Sequence, residues 1–153
     1  MKKWMRALPI DERVDALLAE MTLPEKVGQL NQPANVSPGA DRDALAAGRI
    51  GSSLYASGAL GGNVRDEGLS IRAIEQCQRI AVEESRLGIP VLFGRDAIHG
   101  HRTVFPIPLG LAAAWDAELV ERLCDVAGSE ALREGVAWTF APMVDISEEP
   151  RWG

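Results

Sequence analysis

Residues 89–116, IPVLFGRDAIHGHRTVFPIPLGLAAAWD, decide the architecture. Five apolar residues, Ile89 to Phe93, form the continuous run expected of a strand covered on both faces. A loop-forming stretch follows from Gly94 to Gly110 and holds Asp96, both histidines of the chain, Arg95, Arg102 and two prolines. The segment ends at Asp116, placed to cap the next helix. A buried strand that hands over to a polar loop and then to a helix is the repeating unit of an α/β protein.

Working outward, Leu69 to Leu87 carries helical spacing, with Ile71, Ile74, Cys77, Ile80 and Ala81 on the buried side and Arg72, Glu75, Arg79, Glu83 and Glu84 facing water. Gly88 stops that helix. Before it, IGSSLYAS (50–57) reads as a strand and the glycine-rich GALGGNVRDEG (58–68) as a loop. Three short helices are predicted nearer the start. The first runs from Asp11, its N-cap, to Met21; the second covers 23–30 behind a capping box of Thr22 and Glu25, with Leu23, Val27 and Leu30 on one side; the third covers 40–48 and closes at Gly48. A loop with two prolines, 31–40, separates the last two. Downstream, Asp116 opens a helix carrying Leu119, Leu123, Val126 and Ala127, Gly135 ends it, and VAWTFAPMVDI (136–146) is a further buried strand. Strand, helix, strand, helix, strand implies parallel pairing, met either by a doubly wound open sheet or by a (β/α)8 barrel. Both place residues 94–105 and 143–153 on the functional rim, at the carboxyl ends of the strands.

The chain has 153 residues, 46% apolar and 25% charged, the balance of one folded globular domain rather than a disordered chain. Its net charge of −6, with no basic cluster, argues against a nucleic-acid partner. Cys77 and Cys124 stand apart in helical segments and read as reduced core cysteines. MKKWMRALPIDERVD has the positive charges of an export signal without the apolar stretch behind them, and no run approaches a membrane span. A soluble, cytoplasmic chain with no membrane partner is therefore expected.

Asp96 lies where strand becomes loop. Its carboxylate can accept paired hydrogen bonds from the vicinal hydroxyls of a sugar; equally, it can cap a helix or pair with Arg95 or Arg102. His99 and His101 form an H-x-H pair whose rings project to opposite sides of an extended loop. Metal ligation would need a third ligand such as Asp96, and no Cys or further His stands near, so the pair reads as orienting Asp96 or packing beneath it with a satisfied ring nitrogen, and no metal or cofactor is expected. Arg102 and Arg151 are planar donors suited to carboxylates or hydroxyl pairs. Among the tryptophans, Trp152 is placed near the site, whereas Trp138 reads as core. Asp145 is a second carboxylate on the same rim. A glycosidase pair needs a separation of about 5–5.5 Å for retention or about 6.5–9.5 Å for inversion. There is no G-x-S-x-G elbow, no P-loop and no dinucleotide fingerprint.

Residues 89–116, together with EGVAWTFAPMVDISEEPRWG (134–153) and LLAEMTLPEKVGQL (17–30), strongly resemble the N-terminal domain of glycoside hydrolase family 3, most closely its bacterial periplasmic-type β-glucosidases. The three blocks stand in the family's order and spacing and cover nearly the whole chain. The resemblance implies a (β/α)8 barrel and retaining hydrolysis of β-glucosides and β-linked oligosaccharides. It assigns Asp96, of the D-x-x-H-G segment, to the hydroxyls of the glucose in subsite −1. It places Arg151, of the P-R-W-G segment, in that pocket's surroundings, and makes Asp145 a rim or support residue rather than a nucleophile.

The family's nucleophile belongs to an S-D-W type segment and its acid/base to a later domain or loop, and residues 1–153 contain neither. The expectation is therefore an α/β, partial (β/α)8 barrel with its first strands and helices only: an N-terminal portion that is catalytically incomplete alone. Exposed sheet edges would favour self-association. The alternative is a non-catalytic carbohydrate-binding or self-associating half-barrel. Many relatives of this type are exported, against the cytoplasmic location expected from the N-terminal sequence.

Overall fold

A computed structural model describes residues 7–55, 71–142 and 148. Three short helices lead: α1 (Ile10–Glu20), α2 (Leu23–Gln29) and α3 (Arg42–Ala46). They are followed by β1 (Ser52–Tyr55), α4 (Ile71–Arg79) with a π-helical continuation (Ile80–Glu84), β2 (Leu92–Arg95), α5 (Pro108–Ala113), α6 (Ala117–Arg133) and β3 (Trp138–Thr139). The three strands pair in the order β1-β2-β3, all parallel. Sequential parallel order without a reversal is that of consecutive strands of a (β/α)8 barrel, and the fold is α/β as expected. Three strands do not close a barrel. No helix among the described residues is long and apolar enough to cross a membrane.

One face of the sheet is sealed by helices. Strand alternation places Ser53, Tyr55 and Phe93 on that face, all essentially without exposed surface. Tyr55 and Phe93 join Val36, Leu45, Ile74, Cys77, Ile80, Ala131 and Val136 in one core. Tyr55 stacks on Phe93 with ring centroids 5.6 Å apart. Its hydroxyl donates to Val36 O at 3.2 Å, and Val36 N–H donates to Ser53 Oγ at 3.2 Å. Ahead of β2, Val91 has no ladder partner, and Gln78 serves both its backbone groups, donating to the carbonyl at 2.7 Å and accepting from the N–H at 3.0 Å. Removing the Phe93 ring would cost about 3–5 kcal/mol. The exposed Arg42–Glu84 pair, at 2.8 Å, is worth about 0–1 kcal/mol. Apolar packing against the sheet therefore dominates.

Several sequence expectations are corrected. The helix expected to be capped by Asp11 is capped two residues earlier, at Pro9, leaving Asp11 in the first turn. Leu23, Val27 and Leu30 are exposed, so the expected apolar side of α2 is uncovered; Gly28 is the buried residue there, against the backbone of Gly48 and Arg49. The long helix over 69–87 becomes α4 plus a π-helical turn, with Ile71 exposed. The strand expected at 89–93 runs from Leu92 to Arg95, because Pro90 has no N–H for the ladder and the register is fixed by Ser52 of β1. Leu92 is exposed while Gly94 beside it is buried, so the second face is covered only in part. Cys77 is buried as expected, but Cys124 is exposed. α5 lies in what reads as loop. The segment 58–68 lies outside the described residues.

The capping box of α2 forms as read: Thr22 N–H donates to Glu25 Oε2 at 2.8 Å. Glu25 also holds Arg86, whose Nη2 stands 2.6 Å from Oε2, tying α2 to the segment before β2. Arg86, and then Thr22, pull the Glu25 carboxyl from its ordinary 4.5 to about 2. A carboxyl lowered on folding stabilises the fold fully above its unfolded value and loses that contribution as pH falls through the folded one. Urea midpoints should therefore fall between pH 4.5 and about 2, and less steeply in Arg86→Ala, which lacks the pair. Parallel curves for the two proteins would contradict this.

Candidate functional site

The site grows from the end of β2. Gly94 lies opposite Leu54 and Trp138, and Arg95 opposite Tyr55 and Thr139. Phe140 N–H donates to Arg95 O at 3.2 Å, so the strand is held up to its last residue. Asp96 comes next. By the two-residue alternation it falls in step with Leu92 and Gly94 rather than with Phe93. It is partly buried, and among the described residues no side chain hydrogen-bonds to its carboxylate. Gly94 is required by a close approach: a Cβ there would stand 2.8 Å from Phe140 Cζ. Phe140 in turn packs on Trp138, with centroids 4.7 Å apart at 58°. Trp138 is 38% exposed rather than core, an aromatic surface on the face not covered by helices.

The loop after Asp96 closes on itself. Gly100 bridges Val104, Phe105 N–H donates to His99 O at 2.7 Å, and His99 Nδ1 lies 2.9 Å from Phe105 O. A carbonyl only accepts, so Nδ1 of His99 carries the proton. Gly100 has φ +126°, and a Cβ there would meet Thr103 O at 2.0 Å. His99 thus closes its own loop instead of touching Asp96.

The tip of the loop is fastened to α6. His101 Nε2 stands 2.8 Å from Glu134 Oε2, and Arg102 Nε donates to Glu134 Oε1. The backbone N–H groups of Arg102 and Thr103 donate to Glu130 Oε2 at 2.9 and 2.8 Å, and the Thr103 hydroxyl to Oε1 at 2.6 Å. Burial pushes the Glu134 carboxyl up, but the hydrogen bonds from Arg102 and His101 outweigh it and hold the group below the usual carboxylate range. Glu130 is also held low, chiefly by the Thr103 hydroxyl and then its N–H. An ionised Glu134 only accepts, so His101 Nε2 is protonated. Arg102 therefore pairs with Glu134, and the alternative of an Arg102–Asp96 pair is not the one formed.

Glu130 and Glu134 were not among the residues singled out from sequence. A signal existed: acids four apart at the end of a helix stand against the negative end of its macrodipole, which implies other partners. Beneath the loop, Ile98, His99, Phe105, Ala127, Leu132 and Trp138 help line a largely apolar cavity of about 340 Å³. Asp145, Arg151 and Trp152 lie outside the described residues. Among the described residues no three His, Cys, Asp or Glu side chains gather as a metal site.

Residues 22–153 match the domain described as Glycosyl hydrolase family 3 N terminal domain. The periplasmic beta-glucosidase of Salmonella typhimurium is 38% identical over 143 residues, 94% of this chain and 18% of that protein. The beta-glucosidase from Listeria innocua, solved in complex with glucose, shares the fold at a TM-score of 0.76 and 31% identity, over 95% of this chain and 20% of that one. An exo-1,3/1,4-beta-glucanase from a Pseudoalteromonas species gives 0.75 and 31% over 94% of this chain and 19% of its own. The chain spans about a fifth of the length of the relatives it matches. Its parallel strand order, the acid at the end of the central strand and a domain match over most of its length agree, and the chain belongs to glycoside hydrolase family 3, in the N-terminal domain of that family.

Proposed function

We propose that this chain is the glucose-gripping part of a retaining β-glucosidase acting on β-glucosides and β-linked oligosaccharides, with residues 1–153 forming the N-terminal portion of the barrel domain. Asp96 accepts hydrogen bonds from vicinal hydroxyls of the glucose in subsite −1. Arg151 contributes to the surroundings of that pocket, with His99, His101, Arg102, Asp145 and Trp152 in support. The nucleophile and the acid/base come from polypeptide other than these residues, and no cofactor takes part.

The observation that carries this reading is the position of Asp96. It follows directly on the last residue of the central strand, with no side chain among the described residues occupying its carboxylate. An acceptor left free at the carboxyl end of a parallel strand is available to a ligand. The beta-glucosidase names of the relatives support the substrate class.

A hydrogen bond to a carboxylate contributes about 1.5–3 kcal/mol. Asp96→Ala should therefore weaken glucose binding roughly 10- to 100-fold in calorimetry on the protein in its natural reading frame. Equal affinity in wild type and variant would remove Asp96 from the site.

Leu92 and Trp138, 43% and 38% exposed on the sheet face away from the helices, favour a second reading: a non-catalytic half-barrel that associates through that face. Sedimentation showing a discrete dimer that Leu92→Ser dissolves supports it, and a wild-type monomer removes it. Cytoplasmic residence belongs to the same proposal. The Salmonella typhimurium relative is named as periplasmic, and recovery of this protein in the periplasmic fraction of its cells would overturn a cytoplasmic location.

A further inference from the structure

We propose that Glu134, with Glu130 one helical turn before it, is a positioning residue for Asp96, acting from α6 through the loop that joins β2 to α5. The proposal rests on the assignment of Asp96 to the sugar site and adds what holds it there. Asp96 has no side-chain partner among the described residues, so its aim is set by the backbone on either side. On the amino side the ladder fixes Arg95. On the carboxyl side the loop is closed by His99 and Phe105, and its tip is fastened by five hydrogen bonds, two to Glu134 and three to Glu130.

Burial makes Glu134 decisive. The His101 side chain has no exposed surface and its Nδ1 has no partner, so the bond from Nε2 to Glu134 is the ring's only hydrogen bond among the described residues. Glu134 itself is 8% exposed. Removing its carboxylate leaves a buried imidazole with neither nitrogen paired, a state relieved only by moving the tip of the loop out to water. That movement is transmitted to Asp96, five residues back along a closed loop. Glu130, which binds backbone N–H groups at the surface, adds to the hold but strands no buried group when lost.

Glucose affinity is measured calorimetrically for wild type, Asp96→Ala, Glu134→Ala, Glu134→Gln and the double variant Asp96→Ala/Glu134→Ala, each as the protein in its natural reading frame. Glu134→Ala should weaken binding about tenfold. Glu134→Gln, which keeps the shape and one acceptor for His101, should weaken it about threefold and remain folded. The double variant should bind within about twofold of Asp96→Ala, because a residue that acts through Asp96 has nothing further to lose. Independent, additive losses, or an unchanged Kd in Glu134→Gln and Glu134→Ala, would overturn the proposal. If Asp96→Ala binds as wild type does, the sugar assignment fails instead. Amide exchange over residues 97–105 without sugar then decides the role of Glu134: exchange at least tenfold faster in Glu134→Gln upholds its hold on the loop, and unchanged protection ends it.

Discussion

Along β2 the backbone is shared between two parallel neighbours. Leu92 N–H donates to Gly51 O at 2.9 Å on one side, and Ala137 N–H donates to Phe93 O at 3.0 Å on the other. With Phe93 fully buried between them, each of these polar groups must be paired or the strand cannot enter the core. Parallel pairing then demands long connections, and α4 and α6 supply them by crossing back over the same face. Because both edges of β2 are occupied, its carboxyl end has a fixed place, and Asp96 leaves the sheet from there.

The two faces of the sheet have different fates. Ser53, Tyr55 and Phe93 look toward the helices and disappear into the core, where Val36 ties strand, helix and loop together through its backbone. Leu92, Gly94, Trp138 and Phe140 lie on the other side, where the absence of a Cβ at Gly94 lets the aromatic pair come close. In a closed barrel this second face is the interior, filled by side chains from the remaining strands.

The net charge of −6 suggests a solvated acidic surface, yet several acids are used internally as acceptors. Glu25 joins the start of α2 to Arg86, Glu84 takes both oxygens to Arg42, and Glu130 and Glu134 hold the tip of the loop. Four of the five bonds to Glu130 and Glu134 come from donors other than the Arg102 guanidinium, so the loop is fastened mainly by hydrogen bonds to carboxylates and less by ion pairing.

Sequence alone determined the elements whose causes are local: the capping box of Thr22 and Glu25, the Asp116 cap with its 2.8 Å bond from Leu119 N–H, the apolar stripe of α4 and the α/β alternation itself. Blocks around Asp96 were enough to mark the family. Only the tertiary structure decided the rest. The register of β2 follows from its partners, so an apolar run at 89–93 could not show that the ladder begins at Leu92. Whether Leu92, Trp138 or Cys124 is covered depends on which neighbours reach it. His101 and Glu134 are 33 positions apart, and no local pattern couples them; their bond exists because α6 crosses back and brings its last turn against the loop. Local order is set by neighbours in the chain, whereas pairing between distant side chains is set by packing, and packing is a property of the whole fold.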